Sequence, residues 1–152
     1  MSDSSAPSFR RAVVALNGGS SDARIVALLA DQARQIKAEL VAIHVVEIDW
    51  TLPLDADIAG RSEEVQRVLD TAESVAEGHR VNLEPVLLQA RDVGAAIVDE
   101  TIERDADLLV VGLPYRKRFG GEFAMGRTIP YILQNAPCAV WVVRDPIAEE
   151  RS

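Results

Sequence analysis

Three consecutive basic residues, Arg116-Lys117-Arg118, stand in a chain that is otherwise acidic. They lie between Gly112 and the triplet Gly126-Arg127-Thr128, with Gly120-Gly121 inside the same interval. Arginine presents parallel N–H groups that match phosphate oxygens, and lysine adds a compact charge. A glycine-rich loop that runs into a helix leaves backbone N–H groups free to receive an anion. These types and spacings read as a phosphate cradle, with the Thr128 hydroxyl as a further contact. A second glycine turn, Asn17-Gly18-Gly19-Ser20-Ser21, closes the apolar run 12–16. Plainer readings stand beside these: a solvated loop for the basic run, a helix cap for Thr128, and for Asn17 a turn residue that tolerates left-handed backbone. Pro130 removes one N–H donor, at an early helical position that tolerates the loss.

Other chemistry has few supports. The two histidines, His44 and His79, and the single cysteine, Cys138, are too scattered for a zinc site. His44 sits in an apolar run and reads as a core histidine, while His79 falls in a polar turn and reads as solvated. Cys138 lies among apolar residues, which suits a buried, inert thiol and a reducing compartment. Asp105 and Asp107 flank a strand start and read as caps rather than an acid pair. There is no Gly-x-Ser-x-Gly, Walker A or metal-binding helix motif, so no catalytic residue and no metal ligand is assigned. A slow ATP hydrolase would have to rely on Glu122, the only carboxylate of the basic loop.

The elements that would position these residues follow from hydrophobic periodicity. Residues 12–16, 40–46, 81–88, 108–111 and 139–143 are short, largely apolar runs, as expected for strands buried on both faces. Between them, residues 22–37, 61–77 and 92–104 carry apolar side chains at helical spacing, and 128–134 make a fourth, shorter helix. Ser20 or Ser21 can cap the first helix. Pro85 weakens the third strand. This alternation predicts an α/β fold, a five-stranded parallel sheet with helices on both faces. Such sheets bind ligands beyond the carboxyl ends of the strands where the winding reverses.

The 152 residues suit one domain, and 48 % hydrophobic with 26 % charged residues is ordinary for a globular chain. Residues 1–9 read as a disordered lead-in, 10–145 as the domain and 146–152 as a frayed tail. The net charge of −8 argues against nucleic acid and anionic membranes as partners. No apolar run approaches the roughly 20 residues of a membrane span, and residues 1–8 hold no apolar stretch typical of a signal peptide. The expected location is the cytoplasm.

Four segments in order carry a resemblance: Ala12-Val13-Val14-Ala15-Leu16-Asn17-Gly18-Gly19-Ser20, the strand 40–46 with His44-Val45, Ala106-Asp107-Leu108-Leu109-Val110-Val111-Gly112, and Asn135-Ala136-Pro137-Cys138-Ala139-Val140-Trp141-Val142-Val143-Arg144. Together they resemble the universal stress protein family. The resemblance implies strand order 3-2-1-4-5, a Rossmann-like sheet of the adenine nucleotide α-hydrolase type. It also implies an adenine nucleotide (ATP, ADP or AMP, with Mg²⁺ accompanying ATP) between strands 1 and 4. By the same likeness Ala15, Leu16 and Val45 line the adenine pocket, and Asn17 stands where the family has an aspartate that contacts the adenosine part. Gly112, Tyr115, Arg116, Arg118, Gly126, Arg127 and Thr128 are the remaining nucleotide contacts. The family motif Gly-x-x-Gly, nine residues, Gly-Ser/Thr is altered: Tyr115 replaces the second glycine, ten residues (116–125) follow, and Arg127 intervenes before Thr128. A homodimer through the last strand, Val140, Trp141, Val142 and Val143, is implied as well, although Trp141 can instead pack on its own subunit. The loop 112–123 resembles the branch of the family associated with membrane transporters, which makes a transporter a candidate partner. The bulk of Tyr115 also suits a scaffold that regulates a partner without nucleotide.

Overall fold

The computed structural model describes residues 8–53, 62–113, 115–116, 122–123 and 126–146, with the backbone alone at residues 62, 115, 116, 122 and 123. In chain order the elements are β1 (Arg11–Leu16), α1 (Asp22–Ile36), β2 (Glu39–Glu47), α2 (Ser62–Gly78), β3 (Leu83–Ala90), α3 (Val93–Glu103), β4 (Leu108–Gly112), β5 (Tyr115–Arg116), β6 (Glu122–Phe123), α4 (Thr128–Asn135) and β7 (Ala139–Val143). The main sheet runs β3-β2-β1-β4-β7, all pairs parallel. Counted among its five strands, this is the expected order 3-2-1-4-5. The interval 112–123, read from sequence as a loop, instead contains a short antiparallel ladder pairing Tyr115 with Phe123 and Arg116 with Glu122. Two aromatic residues with strand propensity lie at one of its two rungs.

Side chains alternate across the strands and fill two cores. Ala12, Val14 and Leu16 of β1 join Ile25, Val26, Leu29, Leu69 and Ala72 on the α1/α2 face. Val13 joins Ile97, Val98, Ile129 and Ile132 on the α3/α4 face. The buried stripe of α1 takes Val26 and Ala30, whereas Leu28 and Ile36, expected inside, are exposed; Ile102 of α3 is exposed likewise. Apolar type marks a helix face only to within one residue when small and branched residues flank the stripe. Phe9, grouped with the lead-in by its neighbours in sequence, is buried in the first core and meets Trp141 edge-on, ring centroids 6.1 Å apart. Residues 1–7 of that lead-in and 147–152 of the expected tail lie outside the described residues. Pro85 is accommodated because β3 is an edge strand, which needs no ladder N–H on its open side.

The central pairing, β1 with β4, is locked at its lower end by Asp107. Its carboxylate accepts the N–H groups of Arg10 and Arg11 at 3.0–3.1 Å, and its own N–H donates to the Arg11 carbonyl at 3.0 Å. Burial pushes the Asp107 carboxyl up, but the donations from Arg11, Arg10 and its own backbone outweigh this and hold it below its ordinary value of 3.8. Arg11 in turn pairs with Glu39 at 2.6 Å and donates to the Arg104 carbonyl, tying β1, β2 and the end of α3 together. Across the other face, α3 and α4 approach closely at Gly94. A methyl there would stand 3.2 Å from Tyr131 Cβ and 3.4 Å from the Thr128 carbonyl oxygen.

Two outcomes follow. Gly94→Ala is expected to lower unfolding free energy by about 1–2 kcal/mol in urea titrations, despite alanine's better helix propensity, because Tyr131 Cβ sits too near its own backbone to yield. Asp107→Ala is expected to cost about 1–2 kcal/mol at neutral pH, since it leaves the Arg10 and Arg11 N–H groups without their acceptor. With a depressed folded pKa, the Asp107 contribution is present above 3.8 and lost as pH falls through the lower folded value. The wild-type-minus-variant difference therefore shrinks below about pH 4, and a difference that grows there would contradict the assignment.

Candidate functional site

β1 and β4 leave the sheet side by side, and here the strand order changes direction, since β2 and β3 lie to one side and β7 to the other. Their carboxyl ends meet. A methyl built on Gly112 would be 3.7 Å from Asn17 Nδ2, 3.7 Å from Ser21 Oγ and 3.0 Å from Ile25 Cδ1. Two segments 95 positions apart thus lie beside one another, as the strand order requires. A larger residue at 112 would push first on the flexible end of Ile25 and then crowd the Asn17 amide.

The turn after β1 is built by its own side chains. Asn17 Oδ1 accepts the Gly19 N–H at 2.7 Å, closing an Asx turn, while Gly18 takes a left-handed φ of 82°. Asp22, the first residue of α1, reaches back. Its carboxylate accepts the Asn17 N–H at 3.1 Å and the Gly18 N–H at 2.9 Å, and the residue is only 9 % exposed. Burial raises the Asp22 carboxyl above its ordinary range, and the two N–H donations and nearby His44 pull down without cancelling it. The N–H groups of Asn17, Gly18 and Gly19 are thus all taken up within the turn, by Asp22 and by Asn17 itself. Ser21, an expected helix cap, makes no side-chain capping bond because its own backbone is helical (φ −83°, ψ −9°). Asp22 was legible only as a helix-start residue, and its backward reach depends on the shape of the turn.

The second glycine turn of the sequence leads into α4. Gly126 has a φ of 56°, and Arg127 at the cap position supplies no side-chain bond to the helix. Thr128 is the first helical residue rather than the cap, and the first turn's earliest internal bond runs from the Tyr131 N–H to the Arg127 carbonyl. The N–H groups of Thr128 and Ile129 precede that bond, at the helix's positive end. Gly126 and Arg127 are exposed and Thr128 is half-buried. Tyr115 and Arg116 fall in the β5–β6 ladder just beyond β4, while Lys117, Arg118, Gly120 and Gly121 lie outside the described residues, as does the side chain of Glu122.

The three expected adenine-lining residues do not share a wall. Ala15 and Val45 pack toward the α3/α4 core, whereas Leu16 is buried in the α1/α2 core, since successive side chains of a strand point to opposite faces. His44 Nδ1 donates to the Leu16 carbonyl at 3.1 Å, the satisfied histidine that the sequence suggests. His79 is not free in solvent: its Nδ1 lies 2.7 Å from Asp31 Oδ1, joining α2's end to α1. Cys138 is half-buried, and burial pushes its thiol pKa up, as suits an unreactive group. On the edge strand β7, Trp141 and Val143 turn toward the α1/α2 core and Val140 toward the other, leaving Val142, 41 % exposed, as the outward residue. Of the two readings of Trp141, packing within its own subunit is the one seen, against Phe9, while β7 is an edge strand of the sheet.

A cavity of about 920 Å³ lies at the amino ends of β1, β2 and β3, where Arg11, Glu39, Glu84 and Arg104 line it. Those four charges are engaged with one another as Arg11–Glu39 and Arg104–Glu84 pairs. A smaller one of about 380 Å³ adjoins the Asn17 turn, between α1 and α2, lined by Gly18, Gly19, Asp22, Glu64, Arg67 and Thr71. Among the described residues no three His, Cys, Asp or Glu side chains gather as a metal site. None of the described helices is long and apolar enough to cross a membrane.

Known structures share this architecture. A universal stress protein from Archaeoglobus fulgidus superposes with a TM-score of 0.73 at 20 % identity, covering 89 % of this chain and 98 % of its own. The Archaeoglobus fulgidus protein in complex with dAMP gives 0.68 at 20 % identity, covering 88 % and 97 %. A universal stress protein family member from Arabidopsis thaliana with AMP bound gives 0.65 at 14 % identity, covering 90 % and 92 %. No protein of curated function matches the chain in sequence. The sequence pattern of the universal stress protein family matches residues 8–144, and the chain belongs to that family.

Proposed function

We propose that the chain is a small regulatory module that binds an adenine nucleotide (ATP, ADP or AMP) between the Asn17 turn and the start of α4. The observation that carries this reading is the placement of Asn17 beside Gly112 at the switch point of the sheet, where α/β folds take their ligands. The AMP- and dAMP-bound structures of the same fold support adenine as the base. Ala15 and Val45 cover the base from one side, with Leu16 supporting the strand end, and Asn17 offers its amide to the nucleoside. The phosphate takes the free N–H groups of Thr128 and Ile129, the Thr128 hydroxyl and Arg127, with Gly126 allowing close approach. Tyr115, Arg116 and Arg118 complete the phosphate side, and Mg²⁺ enters only with ATP. A homodimer through β7, with Val140, Trp141, Val142 and Val143 at or behind the edge, presents two such sites. Occupancy is the signal read by a partner, for which a membrane transporter is a candidate.

A second reading, a nucleotide-free scaffold, draws on one specific observation: the N–H groups of the Asn17 turn are filled by Asp22. Thermal melts separate the two. ATP, ADP or AMP at a hundredfold excess over Kd adds about 2.7 kcal/mol, a rise of about 5–10 °C in Tm for a chain of this size. Arg127→Ala, and Arg116→Ala with Arg118→Ala, are expected to reduce that rise. No rise with any of the three at millimolar concentration leaves the scaffold reading standing instead.

A further inference from the structure

We propose that Asp22 is a specificity-determining residue of the nucleotide site, a built-in anion that reserves the Asn17 turn for the uncharged nucleoside and turns polyphosphate away. The inference rests on the nucleotide-binding reading and adds to it a ligand class: adenosine and its monophosphate over the triphosphate.

The argument is one of occupied donors and local charge. A β1–α1 turn with two glycines before a helix is a standard place for a phosphate, because its N–H groups converge and the helix dipole favours negative charge. Here the Asn17 and Gly18 N–H groups end on Asp22 and the Gly19 N–H ends on Asn17 Oδ1. A phosphate could use this turn only by displacing a buried carboxylate and exposing it to a second anion. The charged groups around the adjoining cavity are Asp22, Glu64 and Arg67, which leave the turn with a net negative charge. At the start of α4 the sign differs: Arg127 stands at the cap position, and its side chain makes no capping bond. The same carboxylate holds the turn in the shape that brings the Asn17 amide to Gly112, so its charge and its hydrogen bonds act on the ligand in different ways. The charge opposes phosphate, while the turn geometry serves the nucleoside. A carboxylate in low-dielectric surroundings acts on a nearby anion more strongly than one in water.

The test compares dissociation constants for adenosine, AMP and ATP by calorimetry in the wild type, Asp22→Asn and Asp22→Ser. The serine hydroxyl keeps an acceptor for one N–H where the asparagine amide could oppose Gly18, and Tm values confirm folding of at least one variant. The wild type is expected to bind adenosine or AMP more tightly than ATP. Removing the charge is expected to raise ATP affinity relative to adenosine by about tenfold. An ATP-to-adenosine ratio equal in the wild type and the folded variants overturns the role of Asp22 alone. Wild type and variants that bind none of the three overturn the nucleotide reading and this inference with it.

Discussion

The parallel pairing of β1 with β4 is the constraint on which the rest depends. Nothing local joins these strands, since about ninety residues separate them in the chain. Their register is held by Asp107, whose carboxylate and N–H together close three bonds onto Arg10 and Arg11. A slip of one residue in a strand buried on both faces would exchange its two cores. Because the lower ends are locked and the strands have similar length, their upper ends emerge together, and Asn17 arrives beside Gly112. The site is a consequence of this pairing rather than of any one motif.

Each of the two glycine turns takes its character from how its backbone donors are used. The β1–α1 turn consumes its own N–H groups through Asn17 and Asp22 and becomes closed and negative. The start of α4 leaves its first N–H groups without a capping side chain and carries Arg127. Sequence makes the two look alike, since both are glycine turns running into helices. Their difference lies in where one carboxylate points. A buried acid that accepts two N–H bonds is also a stability element, for its removal would leave those donors without their acceptor.

The parallel α/β sheet agrees with what the alternation of apolar runs and amphipathic segments suggested, as the family does with the resemblance of the four segments, and the reason for the first is general. Strands buried on both faces need continuous apolar side chains, and crossover helices need one apolar face. Helix 22–36 shows the limit of that reading: Leu28 and Ile36 are apolar yet exposed, because a stripe of small residues, Ala30 and Ala33, lets the helix lie closer on its other side. Phe9 shows another limit. Its polar neighbours gave it no periodic partner, and it is buried only because Trp141, 132 positions later, lies across from it.

By itself the sequence determined the element types, the winding into a parallel sheet and the candidate loops, because these follow from period, turn chemistry and composition within short windows. The tertiary structure alone decided that Asp22 fills the turn, that Trp141 turns inward to Phe9 and that His79 meets Asp31. Each of these depends on the direction of a side chain relative to a distant segment. Direction is set by register and packing between elements, and no local window of residues contains it.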